Sequence, residues 1–121
     1  MAQDAAKKPT DRLRLMVNGK QKELFMSFAL LNTLIIPFNT VDQLIELNSE
    51  PDLRNFVLEM CLAQRGEEGE IVEKFPLHTL AISEVEPIFA WVKEHIEDFF
   101  IMRLKNQLKT QRKVNQALSQ H

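Results

Sequence analysis

"LRLMVNGKQKELFMSFALLNTL", residues 13–34, decides how this chain folds. Leu13, Leu15 and Val17 alternate with Arg14 and Met16, which is strand periodicity. Asn18-Gly19 follows, the strongest two-residue hairpin signal, because both central positions of a type I′ turn need positive φ. The return strand "KQKELF" sets Lys20 opposite Val17 and Lys22 opposite Leu15, so it offers little apolar surface. A lone two-stranded ribbon is marginal in water. It must lie on helices or gain a strand from a neighbour. Ser27 can then cap "FALLNTLII", which Pro37 stops. Apolar residues surround nearly the whole circumference of that segment, so it reads as a helix buried on several sides.

Downstream, Thr40 and Gln43 predict a capping box for "VDQLIEL". Ser49 is the expected cap of the next helix, with Pro51 in its first turn. Leu53, Phe56, Val57, Met60 and Cys61 form an amphipathic stripe along it, and Arg65-Gly66 should end it. "GEEGEIVEKFP" reads as an acidic loop with a short strand near residues 71–75. Ser83 and Glu86 predict another capping box, although Pro87 allows a start up to three residues later. Val85, Phe89, Val92, Ile96, Phe99 and Phe100 give the last helix a strong apolar face. Beyond Met102 only Leu104, Leu108, Val114 and Leu118 remain, amid Lys, Arg, Gln and Asn. A helix of about 35 residues would span roughly 50 Å, longer than a domain of this size. Its end therefore projects or is ordered by something else.

The expected fold class is mainly α: a small helical domain with an N-terminal β-hairpin element and a long C-terminal helix. Residues 1–11 are expected to be a disordered lead, 12–100 one globular domain, and 101–121 a projecting or partner-ordered basic helical tail. The chain's 121 residues, 45% apolar and 26% charged, suit one ordinary core. The opening residues lack the apolar run of a signal peptide. The longest apolar stretch, 24–36, is too short to span a bilayer, so no membrane partner is expected. A single cysteine fits a reducing cytoplasm.

The net charge of −2 hides a segregation. Residues 1–41 hold six Lys/Arg against three Asp/Glu, residues 42–98 four against fourteen, and residues 99–121 five against none. The basic ends can fold back on the acidic middle, meet it head to tail on a like subunit, or face an acidic partner.

No enzyme signature is present in the sequence. Three glycines cannot build a phosphate-cradling loop, and no Ser sits in a nucleophile elbow. Cys61 lies on the apolar stripe and reads as a small hydrophobe. His78, His95 and His121 lack zinc-pair spacing, and His95 reads as solvated or half-buried. The glutamates at 67, 68, 70 and 73 lack a calcium-loop pattern. No cofactor and no metal are expected. Residues 40–60 imitate a helix-turn-helix, but Glu50 and Asp52 would lead the second helix towards phosphates. The basic tail is the better nucleic-acid candidate, although it carries no aromatic residue for stacking and adjoins an acidic body. Nucleic acid is thus the alternative partner rather than the expected one. The tail reads better as a helix for a protein partner, with Leu104 and Leu108 one turn apart, or equally as an ordinary fraying helix end.

The order of "LRLMVNGKQKEL", "SFALLNTL", "PDLRNFVLEMCLAQR" and a charged helical tail resembles the tail assembly chaperones of long-tailed, siphovirus-like bacteriophages. The resemblance covers residues 12–65 and is strongest over 17–34. It implies a non-enzymatic assembly factor in the host cytoplasm, absent from the mature virion. Such a factor coats the tape-measure protein, keeps it soluble and helps recruit tail-tube subunits. Many members of that family are also made in a longer form by ribosomal frameshifting near the C-terminus, and a chain ending in a basic helix is compatible with the shorter form. Two contact surfaces are expected, with self-association along them. The hairpin would use Arg12, Arg14, Lys20, Lys22 and Phe25. The tail would use Arg103, Leu104, Lys105, Leu108, Lys109, Arg112 and Lys113.

Overall fold

The computed structural model describes residues 8–119. Strands β1 (Arg12–Val17) and β2 (Lys20–Phe25) pair antiparallel in the expected register, with Val17 opposite Lys20 and Leu15 opposite Lys22. Asn18 and Gly19 hold φ of 53° and 78°, as the type I′ turn requires. The ribbon does not stand alone. Val17 and Leu24 are buried beneath it, and Leu13 and Leu15 are half-buried. The turn itself is pinned: the Asn18 backbone N–H donates to Glu84 Oε2 at 2.7 Å, and Asn18 Nδ2 donates to Thr79 Oγ1 at 2.9 Å.

Helix α1 (Phe28–Leu34) starts where Ser27 Oγ accepts the Leu30 N–H at 3.0 Å. It is not buried on several sides as its composition suggests. Leu30 and Leu34 face the core, whereas Phe28 is 82% and Ile36 73% exposed. Two turns of helix at the rim of a small domain meet the core along one side only, whatever the other side carries. Residues Val41–Asn48 form a 3-10 helix rather than an α-helix. Gln43 Oε1 accepts the N–H of Asn39 instead of Thr40, so the expected capping box is displaced by one residue.

Helix α2 (Pro51–Leu62) takes Glu50, not Ser49, at its N-cap. Ser49 is engaged on the other side: it caps the end of the 3-10 helix, its N–H reaching the Glu46 carbonyl. Val57, Leu58, Cys61 and Leu62 are buried, while Leu53, Phe56 and Met60 are half-buried. The helix stops at Leu62, before the expected Arg65-Gly66. Ala63 turns extended and leads into β3 (Gln64–Arg65), which pairs antiparallel with β4 (Ile71–Glu73). Arg65 closes this small ribbon by donating to the Met60 and Gly69 carbonyls, both at 2.9 Å.

Helix α3 (Ile82–Ser119) begins ahead of the expected Ser83 cap. Glu84 Oε1 accepts the Ala81 N–H at 2.7 Å, one half of a capping box with Ala81 at the N-cap. Pro87 sits inside the helix on its exposed side. Ile88, Val92 and Ile96 are fully enclosed, with Val85, Phe89 and Trp91 beside them. Arg54 ties three elements together. Its guanidinium donates to the Leu47 carbonyl at 2.7 Å, lies 4.4 Å from the Phe89 ring centroid, and approaches Glu86 at 3.9 Å.

The end of the expected disordered lead belongs to this body. The Thr10 carbonyl receives Trp91 Nε1 at 2.8 Å and His95 Nε2 at 2.7 Å, and the Asp11 carbonyl receives the Met26 N–H at 2.8 Å. A carbonyl only accepts, so His95 carries its proton on Nε2. His95 is buried rather than solvated, 8% exposed and edge-on to Trp91. Residues 1–7 of that lead lie outside the described residues.

Candidate docking surfaces

The hairpin divides its candidate residues between two faces, because side chains alternate along a strand. Arg12, Arg14 and Phe25 share the outer face. Arg12 Nη1 and Arg14 Nε donate to the two oxygens of Glu23 at 2.9 and 2.8 Å, and the Arg12 guanidinium lies 4.6 Å from the Phe25 ring centroid. The hydrogen bond from Arg14, then that from Arg12, holds the Glu23 carboxyl below its ordinary pKa. On this outer face one carboxylate bridges two guanidiniums beside an exposed aromatic edge. Lys20 and Lys22 sit on the inner side. Lys22 is half-buried, its ammonium 5.8 Å from the Phe75 ring centroid. The five hairpin candidates therefore do not form one basic patch, and Lys22 is a positioning contact to the Phe75 segment.

The tail candidates do share one element. No residue from 101 to 118 is buried. Arg103, Leu104, Lys105, Leu108, Lys109, Arg112 and Lys113 all stand on α3 beyond its last packed turn. Eighteen helical residues extend about 27 Å at 1.5 Å per residue. Ile101, Leu104, Leu108, Val114 and Leu118 are 48–66% exposed on it. Among the described residues the tail's five cations form no ion pair.

A third surface was not legible in the sequence. Ile36, Pro37, Leu53 and Phe56 floor an open cleft of about 390 Å³, rimmed by Glu46, Glu50 and Asp52. It is assembled from the turn after α1, the 3-10 helix and the start of α2. Its only sequence signal was an apolar residue, Ile36, placed next to a helix-stopping proline.

No family model, curated protein or solved structure matches this chain. The chemistry of these surfaces must be judged from the residues. Burial pushes the Cys61 thiol up to about 12, which keeps it a neutral packed group at physiological pH. Among the described residues no cluster of three His, Cys, Asp or Glu could hold a metal ion. Among them, too, no helix is long and apolar enough to cross a membrane. Three exposed surfaces stand out among the described residues: the outer hairpin face, the acid-rimmed cleft and the basic tail.

Proposed function

We propose that this chain is a phage tail assembly chaperone. It binds the tape-measure protein reversibly, keeps it soluble in the host cytoplasm, and helps recruit tail-tube subunits without entering the virion. The observation that carries the reading is the unburied half of α3. Residues 101–118 are all exposed, yet they retain a thin apolar stripe flanked by five cations. A stripe of this kind is suited to lying along another helix. Each contact is small, so coating a long helical client requires many copies in a row. Self-association belongs to the same reading. The alternative, a nucleic-acid-associated regulator, is favoured by the same exposed cations; its mark is affinity that falls steeply with salt.

Reversing Lys109, Arg112 and Lys113 to Glu tests the proposal. Capture of the client falls while the thermal midpoint of the chain stays unchanged. Client capture that survives this triple change at low salt would remove the tail's charge as the driver.

A further inference from the structure

We propose that the tail of one copy docks in the acid-rimmed cleft of the next, so that the chain assembles head to tail. The inference deepens the self-association named above and does not depend on what the client is.

The two surfaces complement each other. On α3, Ile101, Leu104 and Leu108 stand at spacings of three and four and share one helix face. Lys105, Lys109 and Arg112 repeat the same spacing along one flank of that face. The result is an apolar ridge with a row of cations on one side. The cleft is its counterpart, with an apolar floor that includes half-buried Leu53 and Phe56 and an acidic rim of Glu46, Glu50 and Asp52. Among the described residues none of these three carboxylates is paired with a cation. Ile36, 73% exposed, gives the ridge an apolar surface to cover.

A chain cannot satisfy both surfaces by itself, because α3 runs on from the body as one continuous helix through Ser119 and carries residues 101–118 away unburied. The contact must therefore form in trans. Each chain offers one ridge and one cleft, different surfaces, so the interface is heterologous and propagates into a row unless its rotation closes a ring. About two helical turns in an open cleft bury less than about 1,200 Å², the range of transient association. Assembly is consequently weak and cooperative with whatever lines the copies up.

Sedimentation velocity on the purified full-length chain tests this. At about 10 mM salt, where screening reaches only beyond about 30 Å, the wild type at near-millimolar concentration should sediment as a concentration-dependent distribution of oligomers. Two exposed-residue variants are compared with it: a tail variant (Lys105→Glu, Lys109→Glu, Arg112→Glu) and a cleft variant (Glu46→Lys, Glu50→Lys). Each alone should associate at least about tenfold more weakly, the sum of a few surface ion pairs lost and replaced by repulsion. Mixed together, they should associate again, because every junction then joins opposite charges: the unaltered tail of the cleft variant meets the unaltered cleft of the tail variant, and the acidic tail meets the basic cleft. A monomeric wild type, association that survives either reversal, or a mixture that stays monomeric overturns the proposal. The cleft variant leaves residues 101–118 intact, so its loss of self-association is read independently of the tail's contact with a client, which the tail variant would also weaken.

Discussion

The division of α3 into a packed half and an unburied half predicts opposite responses to one kind of substitution eight residues apart. Ile96 is fully enclosed, whereas Leu104 is 58% exposed. Ile96→Ala removes three carbons from the core, worth about 0.8 kcal/mol each in transfer free energy. The cavity left behind raises the total to about 2–5 kcal/mol. For a domain of this size that lowers the thermal midpoint by about 8–20 °C. Leu104→Ala removes carbons that already face water and replaces one good helix former with a better one. Its effect should stay within about 0.5 kcal/mol. Urea denaturation of both variants, followed by circular dichroism and by Trp91 fluorescence, separates the two cases. Equal losses at both positions, or a loss below about 1 kcal/mol at Ile96, would mean that α3 is not divided near residue 100 as described.

Three other consequences can be checked with the same assays. Gly19 holds φ of 78° with open space where a Cβ would project, so Gly19→Ala should cost about 1–2 kcal/mol through backbone conformation alone; denaturant midpoints measure it, and no loss would mean the turn is not type I′. Glu84 is held below its ordinary pKa first by the Ala81 N–H and then by the Asn18 N–H. A folded-state pKa that is lowered contributes stability fully above the usual carboxylate range and loses it as pH falls through the lowered value. Glu84→Gln should therefore lower the thermal midpoint at neutral pH by a margin that shrinks towards zero in acid; a margin independent of pH would contradict the double N–H contact. Deleting residues 1–10 removes the carbonyl shared by Trp91 and His95 and should cost about 1–3 kcal/mol, with a shift in the emission of the single tryptophan; unchanged emission and stability would detach Thr10 from the body.

What the sequence made legible was local and strongly determined. Asn18-Gly19 fixed the turn and with it the register, since a two-residue loop leaves one pairing that puts Leu13, Leu15 and Val17 on a common face. Ser27 is legible as a cap because residues 24–26 offer no competing side-chain oxygen. The other caps failed where neighbouring polar groups compete. Ser49 serves the helix before it, Gln43 turns to Asn39, and Glu84 rather than Glu86 reaches back to the start of α3. The burial of α1 is not legible in its composition, because an apolar circumference says what could be buried, not what a partner element covers. The acid-rimmed cleft was invisible for a different reason. Its floor and rim come from residues 36–56 on three elements whose approach depends on tertiary clamps such as Arg54 to Leu47 and Phe89.

The proposal that the exposed half of α3 serves a protein client is tested most directly by capture from the cells that make this chain. The tagged chain is recovered after nuclease treatment, beside a version truncated after Phe100, and the bound polypeptides are identified by mass spectrometry. One very long, helix-rich polypeptide, with or without tube subunits, should be held by the full chain and lost from the truncated one. Binding that requires nucleic acid and vanishes at moderate salt would contradict the proposal and make the tail a phosphate-binding element.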